Sequence, residues 1–428
     1  MAETISPDYL VIGAGAMGMA FVDTLVSDTK ATVALVDRYS RPGGHWTIAY
    51  PFVRLHQPSA FYGVNSRPLG DDKVDQIGLN KGMSELATGD EVCAYFSRVM
   101  HQTFLPSGRV AYYPMHEYVG KGEFRSITTG KITRVGKGTR LVDATYMKVK
   151  VPAMSPPSYE VLDGVDLITP SDLAKIHRPY GGYTVVGAGK TGVDACLWLL
   201  ASATKDASSL DDLFLRLEAC GRLLRIDKER WPTMFRCAIL SIPELEQVKR
   251  VGRIIRHGRV MRISTSQVTL EKGSYRPVPD TLYIDCTADA LARLKPVPVF
   301  GGNHITLQPV RLCQQVFSAA FIAHVDATYD DESVKNELCG VVPHPDETTD
   351  FLSVYLQTYR NRLKWFARPR TVAWLKQARL DVPPLRSPPE DPVEAASFDA
   401  SQPAIIQAMC NKFELLQKVS EDVIRASV

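Results

Sequence analysis

The hydrophobic pattern opens with a short, mainly apolar run, Asp8-Tyr-Leu-Val-Ile12, which stops at a glycine-rich turn, Gly13-Ala-Gly15-Ala-Met-Gly18, and gives way to helix-forming residues from Ala20 to Val26. An apolar run bounded by glycines predicts a buried strand, and the segment after it predicts a helix. A second run, Thr32-Val-Ala-Leu-Val36, predicts the next strand and ends at Asp37, 19 residues after Gly18. The same grammar returns 174 residues downstream, where Tyr183-Thr-Val-Val186 leads into Gly187-Ala-Gly189-Lys190-Thr191-Gly192 and a helical pattern from Val193 to Leu200. Cys313 to Val325 predicts a further helix. Over 403–425, Ile406, Met409, Phe413, Leu416 and Val423 recur at helical spacing and predict an amphipathic helix docked on the body.

Strand, glycine turn and helix form the context in which G-x-G-x-x-G carries chemistry. Gly13 permits the tight turn, Gly15 has no Cβ to block a pyrophosphate, and Gly18 lets the helix pack close to the strand. The helix N-terminus then offers free N–H groups and the positive end of its dipole to phosphates. Asp37 stands where a carboxylate accepts hydrogen bonds from ribose hydroxyls, and Arg38 beside it is a candidate for the adenine end. Two fingerprints in full context predict two dinucleotide sites. The second is not a Walker A motif, because Thr184 stands where that motif needs its first glycine.

Two matching strand ends, Val142-Asp-Ala-Thr145 and Ile284-Asp-Cys-Thr287, echo the duplication. The fold class expected is therefore α/β, one Rossmann-like domain interrupted by a second. The first occupies residues 1–164, the second 165–285, and the first resumes over 286–382. A linker and the docking helix fill 383–428.

Composition narrows the alternatives. The 428 residues carry a net charge of +3, with 23% charged and 45% hydrophobic, which is globular rather than disordered composition. No apolar run approaches the roughly 18 residues that span a bilayer, and no basic segment with a cleavage site precedes the first strand, so a cytoplasmic location and no membrane partner are expected. The eight cysteines include no C-x-x-C pair, and the nine histidines show no zinc spacing, so no metal site is expected. The basic run Lys249, Arg250, Arg253, Arg256, Arg259 and Arg262 lacks interleaved aromatics and reads as a solvated or ion-paired face, not a nucleic-acid surface.

After Asp37-Arg38 come Arg41-Pro-Gly43-Gly44-His45-Trp46, Tyr50-Pro51, Arg54, His56-Gln57-Pro58-Ser59 and Tyr62. With these residues, and in the order of motifs over roughly its first 290 positions, the chain resembles the two-dinucleotide flavoproteins and in particular the class B flavoprotein monooxygenases. In that family a Gly-Gly-x-Trp turn follows the acidic ribose residue. The resemblance implies FAD at the first loop and NADPH at the second, hence an FAD-binding domain interrupted by an NAD(P)-binding one. The family's F-x-G-x-x-x-H signature is missing, Phe124-Arg-Ser-Ile-Thr-Thr-Gly130 being a loose analogue. The chain also resembles less sharply defined FAD/NAD(P)-binding oxidoreductases, whose family fixes no substrate.

The residues themselves are compatible with that. Gly44 allows close approach to a flat ring system, and His45 and Trp46 can pack against it. Arg54, His56 and Gln57 lie among apolar positions and are the catalytic candidates. A strand over Leu223-Leu-Arg-Ile226 is expected to precede the position that discriminates the second nucleotide: Lys228 and Arg230 favour the phosphate of NADPH, whereas Asp227 favours NADH. Gln308, in the turn Ile305-Thr-Leu-Gln308-Pro309, is a candidate for the flavin edge. The expected function is NAD(P)H-dependent monooxygenation of a small organic substrate. The alternatives are a flavin-dependent dehydrogenase or reductase without oxygen insertion, and a nucleotide-binding regulatory flavoprotein.

Overall fold

Tyr9–Ile12 is the strand around which the larger sheet is built. Its neighbours give the order Phe300–Gly301, His304–Thr306, Arg140–Asp143, Tyr9–Ile12, Val33–Val36 and Val110–Tyr113, all parallel except the first pair. The chain leaves the central strand, returns on one side as Val33–Val36 and later on the other as Arg140–Asp143, which makes the end of Ile12 a topological switch point, the place where open α/β sheets bind ligands. The computed structural model describes residues 3–50, 53–76, 80–148, 156–169, 172, 177–178, 180–186, 209–219, 223–225, 227–234, 241–249, 253–287, 293–381 and 392–426.

Helix Ala16–Asp28 follows the glycine turn, and every residue from Met17 to Val26 is buried. A helix apolar all round must be covered on more than one face. Helix Gln315–Thr328, itself buried from Val316 to Asp326, packs along it in the same core. Two ion clusters fasten this layer. Asp326 accepts from Tyr9 Oη at 2.9 Å and from Lys335 Nζ at 2.8 Å and pairs with Arg140, tying helix to sheet. Asp381 accepts from Arg362 at 2.7 and 3.0 Å and pairs with the fully buried Arg311.

Burial opposes ionisation of Asp381, but Arg362 and Arg311 outweigh it and hold its carboxyl below the usual range. Its contribution is complete above the unfolded carboxylate pKa and is lost as pH falls through the lower folded value. Asp381→Ala removes the carboxylate that two buried guanidinium groups share and is expected to cost about 3–5 kcal/mol, measurable as a lowered urea midpoint at neutral pH. A midpoint within error of wild type would mean that the two arginines find other partners.

A second parallel sheet has the order Asp166–Ile168, Thr281–Asp285, Gly182–Val186, and a four-stranded sheet beside it pairs Glu160–Val161 with Val260–Ile263. Leu223–Arg225 form no strand, contrary to the expectation from their apolar run; Leu223 packs against a helical cluster, and Arg225 pairs with Glu218 at 2.7 Å and lies over the Trp231 ring. Residue 226 lies outside the described residues. The C-terminal helix, Pro392–Ala426, begins earlier than the periodicity from 403 suggests. Ile406, Met409, Phe413 and Leu416 are buried as expected, with Phe413 stacked on Tyr359 of helix Asp350–Phe366 at 5.9 Å. Cys93, Cys286, Cys339 and Cys410 are free thiols, whereas Cys313 is disulfide-bonded, which no cysteine spacing revealed.

Candidate functional site

At the end of the central strand Gly13 turns the chain with φ +104°, and a Cβ there would lie 2.9 Å from the Thr145 methyl. Gly18 is more tightly constrained: its Cβ would stand 1.9 Å from the Gly13 carbonyl oxygen, so the first helical turn is seated on the loop. Gly15 is different. A Cβ there meets only Gly44, at the ordinary distance of 3.6 Å, so no contact within the protein requires a glycine at this position. The helix behind it has no side-chain cap and no acidic residue in its first turn, which leaves its N–H groups and dipole available to an anion.

Asp37, 4% exposed, binds the loop directly, accepting from Ala14 N at 2.5 Å and Tyr39 N at 2.7 Å. Burial pushes its carboxyl above the ordinary range, against the opposing pull of those two hydrogen bonds. A carboxylate has about four acceptor sites, so the two in use leave capacity for ribose hydroxyls. Nearby, the buried Tyr112 hydroxyl has no partner among the described residues, and the Asp37 charge adds to burial in raising its pKa. An orphaned hydroxyl beside an acceptor suits a polyhydroxylated ligand. Arg38 is exposed, with its guanidinium 5.8 Å from the Tyr39 ring.

The Gly-Gly-His-Trp turn arrives on the other side. Gly43 N donates to Ala14 O at 2.9 Å, and Gly44, at φ +59°, backs onto Gly15 so closely that a Cβ would lie 2.9 Å from its Cα. Trp46 Nε1 donates to Tyr62 Oη at 2.8 Å, and the His45 ring lies 5.2 Å from the indole. Burial lowers the His45 pKa to about 4, so its imidazole is neutral near pH 7. The structure thus brings Gly13, Gly15, Gly18, Asp37, Gly44, His45 and Trp46 together. Arg54 is exposed and reaches Leu86 O at 3.3 Å; Gln57 is committed to Phe61 O at 3.1 Å; His56 is half-buried with partners of its own.

Gln308 clasps Val297 through both ends of its amide, at 2.9 and 3.2 Å. It lies at a cleft of about 300 Å³ whose walls include Met147, Leu294, Pro309 and Val341. The residues that sequence reasoning missed are supports: Asp23, Tyr95 and Arg379, which hold the loop carrying Tyr62. Their contacts cross long stretches of chain and have no local signal.

The strand ends repeat one another. Ile12 pairs with Asp143 in parallel register and Val186 with Asp285. Asp143 Oδ1 accepts from Thr145 N at 2.8 Å and Oγ1 at 2.7 Å, and Asp285 Oδ1 accepts from Thr287 N at 3.2 Å and Oγ1 at 2.7 Å. Gly187, Gly189, Lys190, Thr191 and Gly192 lie outside the described residues. Lys228 and Arg230 are exposed, and Asp227 pairs with Arg256 at 3.0 Å. Of the basic run, Lys249 pairs with Glu246, Arg256 with Asp227 and Arg262 with Glu160, and Arg250 lies outside the described residues.

No family model matches the chain. Among solved structures, cyclohexanone monooxygenase bound to ε-caprolactone is 13% identical, with a TM-score of 0.49 over 76% of this chain and 87% of that one. Its open form is 12% identical with a TM-score of 0.48 over 99% of both chains. A flavin-containing monooxygenase from Stenotrophomonas maltophilia is 13% identical with a TM-score of 0.43, over 76% of this chain and 97% of that one. "Uncharacterized protein Rv2000" of Mycobacterium tuberculosis (strain ATCC 25618 / H37Rv) is 47% identical over 436 residues, which span 91% of this chain and 81% of that protein. "Uncharacterized protein Mb2023" of Mycobacterium bovis matches to the same extent. With 47% identity over 91% of its length, the chain belongs to the same protein family as these mycobacterial proteins.

Proposed function

We propose that the chain is an FAD-containing, NAD(P)H-dependent oxidoreductase, and specifically a monooxygenase of a small organic substrate. The observation that carries this reading is the convergence, at the switch point of a parallel sheet, of an uncapped helix N-terminus, a glycine that no contact within the protein requires, a buried carboxylate and a Gly-Gly-His-Trp turn. FAD, when bound, accepts two electrons from a reduced nicotinamide and can pass them to oxygen. The chain's own groups do the rest. The helix N-terminus would hold the pyrophosphate, Asp37 would orient the ribose, and the Gly43–Trp46 turn packed on the glycine loop would help to hold the flavin. The cleft of about 300 Å³ whose walls include Met147, Leu294, Gln308 and Val341 suits a small substrate.

The test is NADPH consumption by the purified yellow protein with and without oxygen, with peroxide measured. Consumption that needs oxygen and releases little peroxide in the presence of substrate supports monooxygenation; full conversion to peroxide with every candidate substrate, or turnover without oxygen, favours a reductase. For the nucleotide, the Arg256 pairing offsets the Asp227 charge that would oppose a 2′-phosphate, which favours Lys228 and Arg230 as its readers. Replacing both with Ala is expected to raise the KM for NADPH by about ten-fold, since charge-assisted contacts at exposed positions are worth on the order of 1.5 kcal/mol. Equal losses with NADH would assign the pair a structural role.

A further inference from the structure

The loop over residues 60–67 carries Tyr62 and is irregular after a single 3-10 turn, Ser59–Phe61, yet Gly63 and Val64 at its centre are buried, and the backbone groups there must find partners. Three side chains from distant elements supply them. Four of its carbonyls gather around the Arg379 guanidinium: Nη1 donates to that of Ala60, and the two N–H groups of Nη2 are shared among those of Val64, of Tyr62 at 2.9 Å and of Arg67 at 3.2 Å. Tyr95 Oη donates to Arg67 O at 2.6 Å and accepts from Val64 N at 2.9 Å. Asp23, on the helix that follows the glycine loop, accepts from Ser66 N at 2.9 Å. Gly63, at φ +96°, lets Tyr95 in, since its Cβ would lie 2.4 Å from the tyrosine oxygen.

Tyr62 is therefore held at both ends, its carbonyl by Arg379 and its hydroxyl by Trp46, while its ring meets Phe96 edge-on at 6.2 Å. We propose that Arg379 is a positioning residue for the flavin site: by gathering the loop over 60–67 it fixes Tyr62, and through Tyr62 it fixes Trp46 and the turn packed on Gly15. This rests on the reading that the turn and the glycine loop hold FAD. Arginine is the residue for the task because a planar fork with five donors can serve several carbonyls at once, whereas the ammonium of lysine is a single point.

The test uses the full chain with Arg379→Lys, Tyr62→Phe and the double variant, reading the FAD dissociation constant from flavin fluorescence and hydrogen exchange over 43–46 by mass spectrometry. Each single variant is expected to weaken FAD by about ten-fold and to speed exchange at the turn. The double variant should be no weaker than Tyr62→Phe, since residues acting through one path do not add. Asp331→Ala, which removes the cap of helix Glu332–Leu338, controls for general loss of stability and should lower Tm without weakening FAD. Wild-type affinity in Arg379→Lys, losses that multiply in the double variant, or an equal loss in Asp331→Ala would each overturn the proposal. If wild type takes up no FAD, the flavin reading itself fails, and unchanged exchange at 43–46 in Arg379→Lys would then overturn the linkage on its own. Should Arg379→Lys not fold, Tyr62→Phe must still loosen 43–46 while leaving exchange over 60–67 as in wild type; exchange unchanged at 43–46 would overturn the path through Trp46.

Discussion

Gly15→Val is expected to fold and to lose FAD affinity by at least about a hundred-fold, the equivalent of roughly 2.7 kcal/mol. The reasoning separates three glycines that the motif alone treats alike. At Gly18 a Cβ would lie 1.9 Å from a backbone oxygen, and at Gly13 the backbone is at φ +104°, so substitution there attacks the fold. At Gly15 the φ is −76° and the first added carbon meets Gly44 at 3.6 Å, an ordinary contact. The valine methyls then extend into the space that the pyrophosphate needs against the helix N-terminus. The measurements are circular dichroism for folding and the flavin absorbance that survives gel filtration. A folded, fully yellow Gly15→Val would overturn the assignment of the first loop. A colourless Gly18→Val, by contrast, is informative only if it is also shown to be folded.

The glycine loop, the strand before it, Asp37 and the Gly-Gly-His-Trp turn were legible because each is written in consecutive residues whose backbone demands are local. The convergence of the turn on the loop was only implied, since the Gly43 to Ala14 hydrogen bond and the Gly44 contact with Gly15 depend on how the two segments cross. The supports were not legible at all. Arg379 reaches its four carbonyls across 312 to 319 residues of sequence, and nothing in Ala378-Arg379-Leu380 distinguishes it from a surface arginine. Leu223-Leu-Arg misled for a different reason: a short apolar run fits a buried strand or a packed connection equally well, and here Arg225 found Glu218 and Trp231 instead of a sheet. Asp227 was read with Lys228 and Arg230 because they are neighbours in sequence; its ion-pair partner is Arg256.

Gly189→Val is expected to lower the rate at which NADPH reduces the flavin by at least about a hundred-fold while leaving FAD content unchanged. The argument runs through the two strand ends. A parallel strand that ends in Asp-x-Thr fixes the end of its neighbour twice over, by the pairing of the aspartate with the neighbour's last residue and by the following amide, Ala144 N on Ile12 O at 3.0 Å and Cys286 N on Val186 O at 2.8 Å. In both sheets the residue so fixed is the one immediately before a G-x-G-x-x-G sequence, so the same boundary condition is set at each loop. Duplicated boundary conditions with duplicated glycines support two nucleotide sites that fail independently, and a valine in the second should act on electron supply alone. Rapid-mixing absorbance of the bound flavin distinguishes the outcomes. An unchanged reduction rate would remove the second site from the scheme, and loss of FAD together with reduction would mean that the two loops serve one ligand.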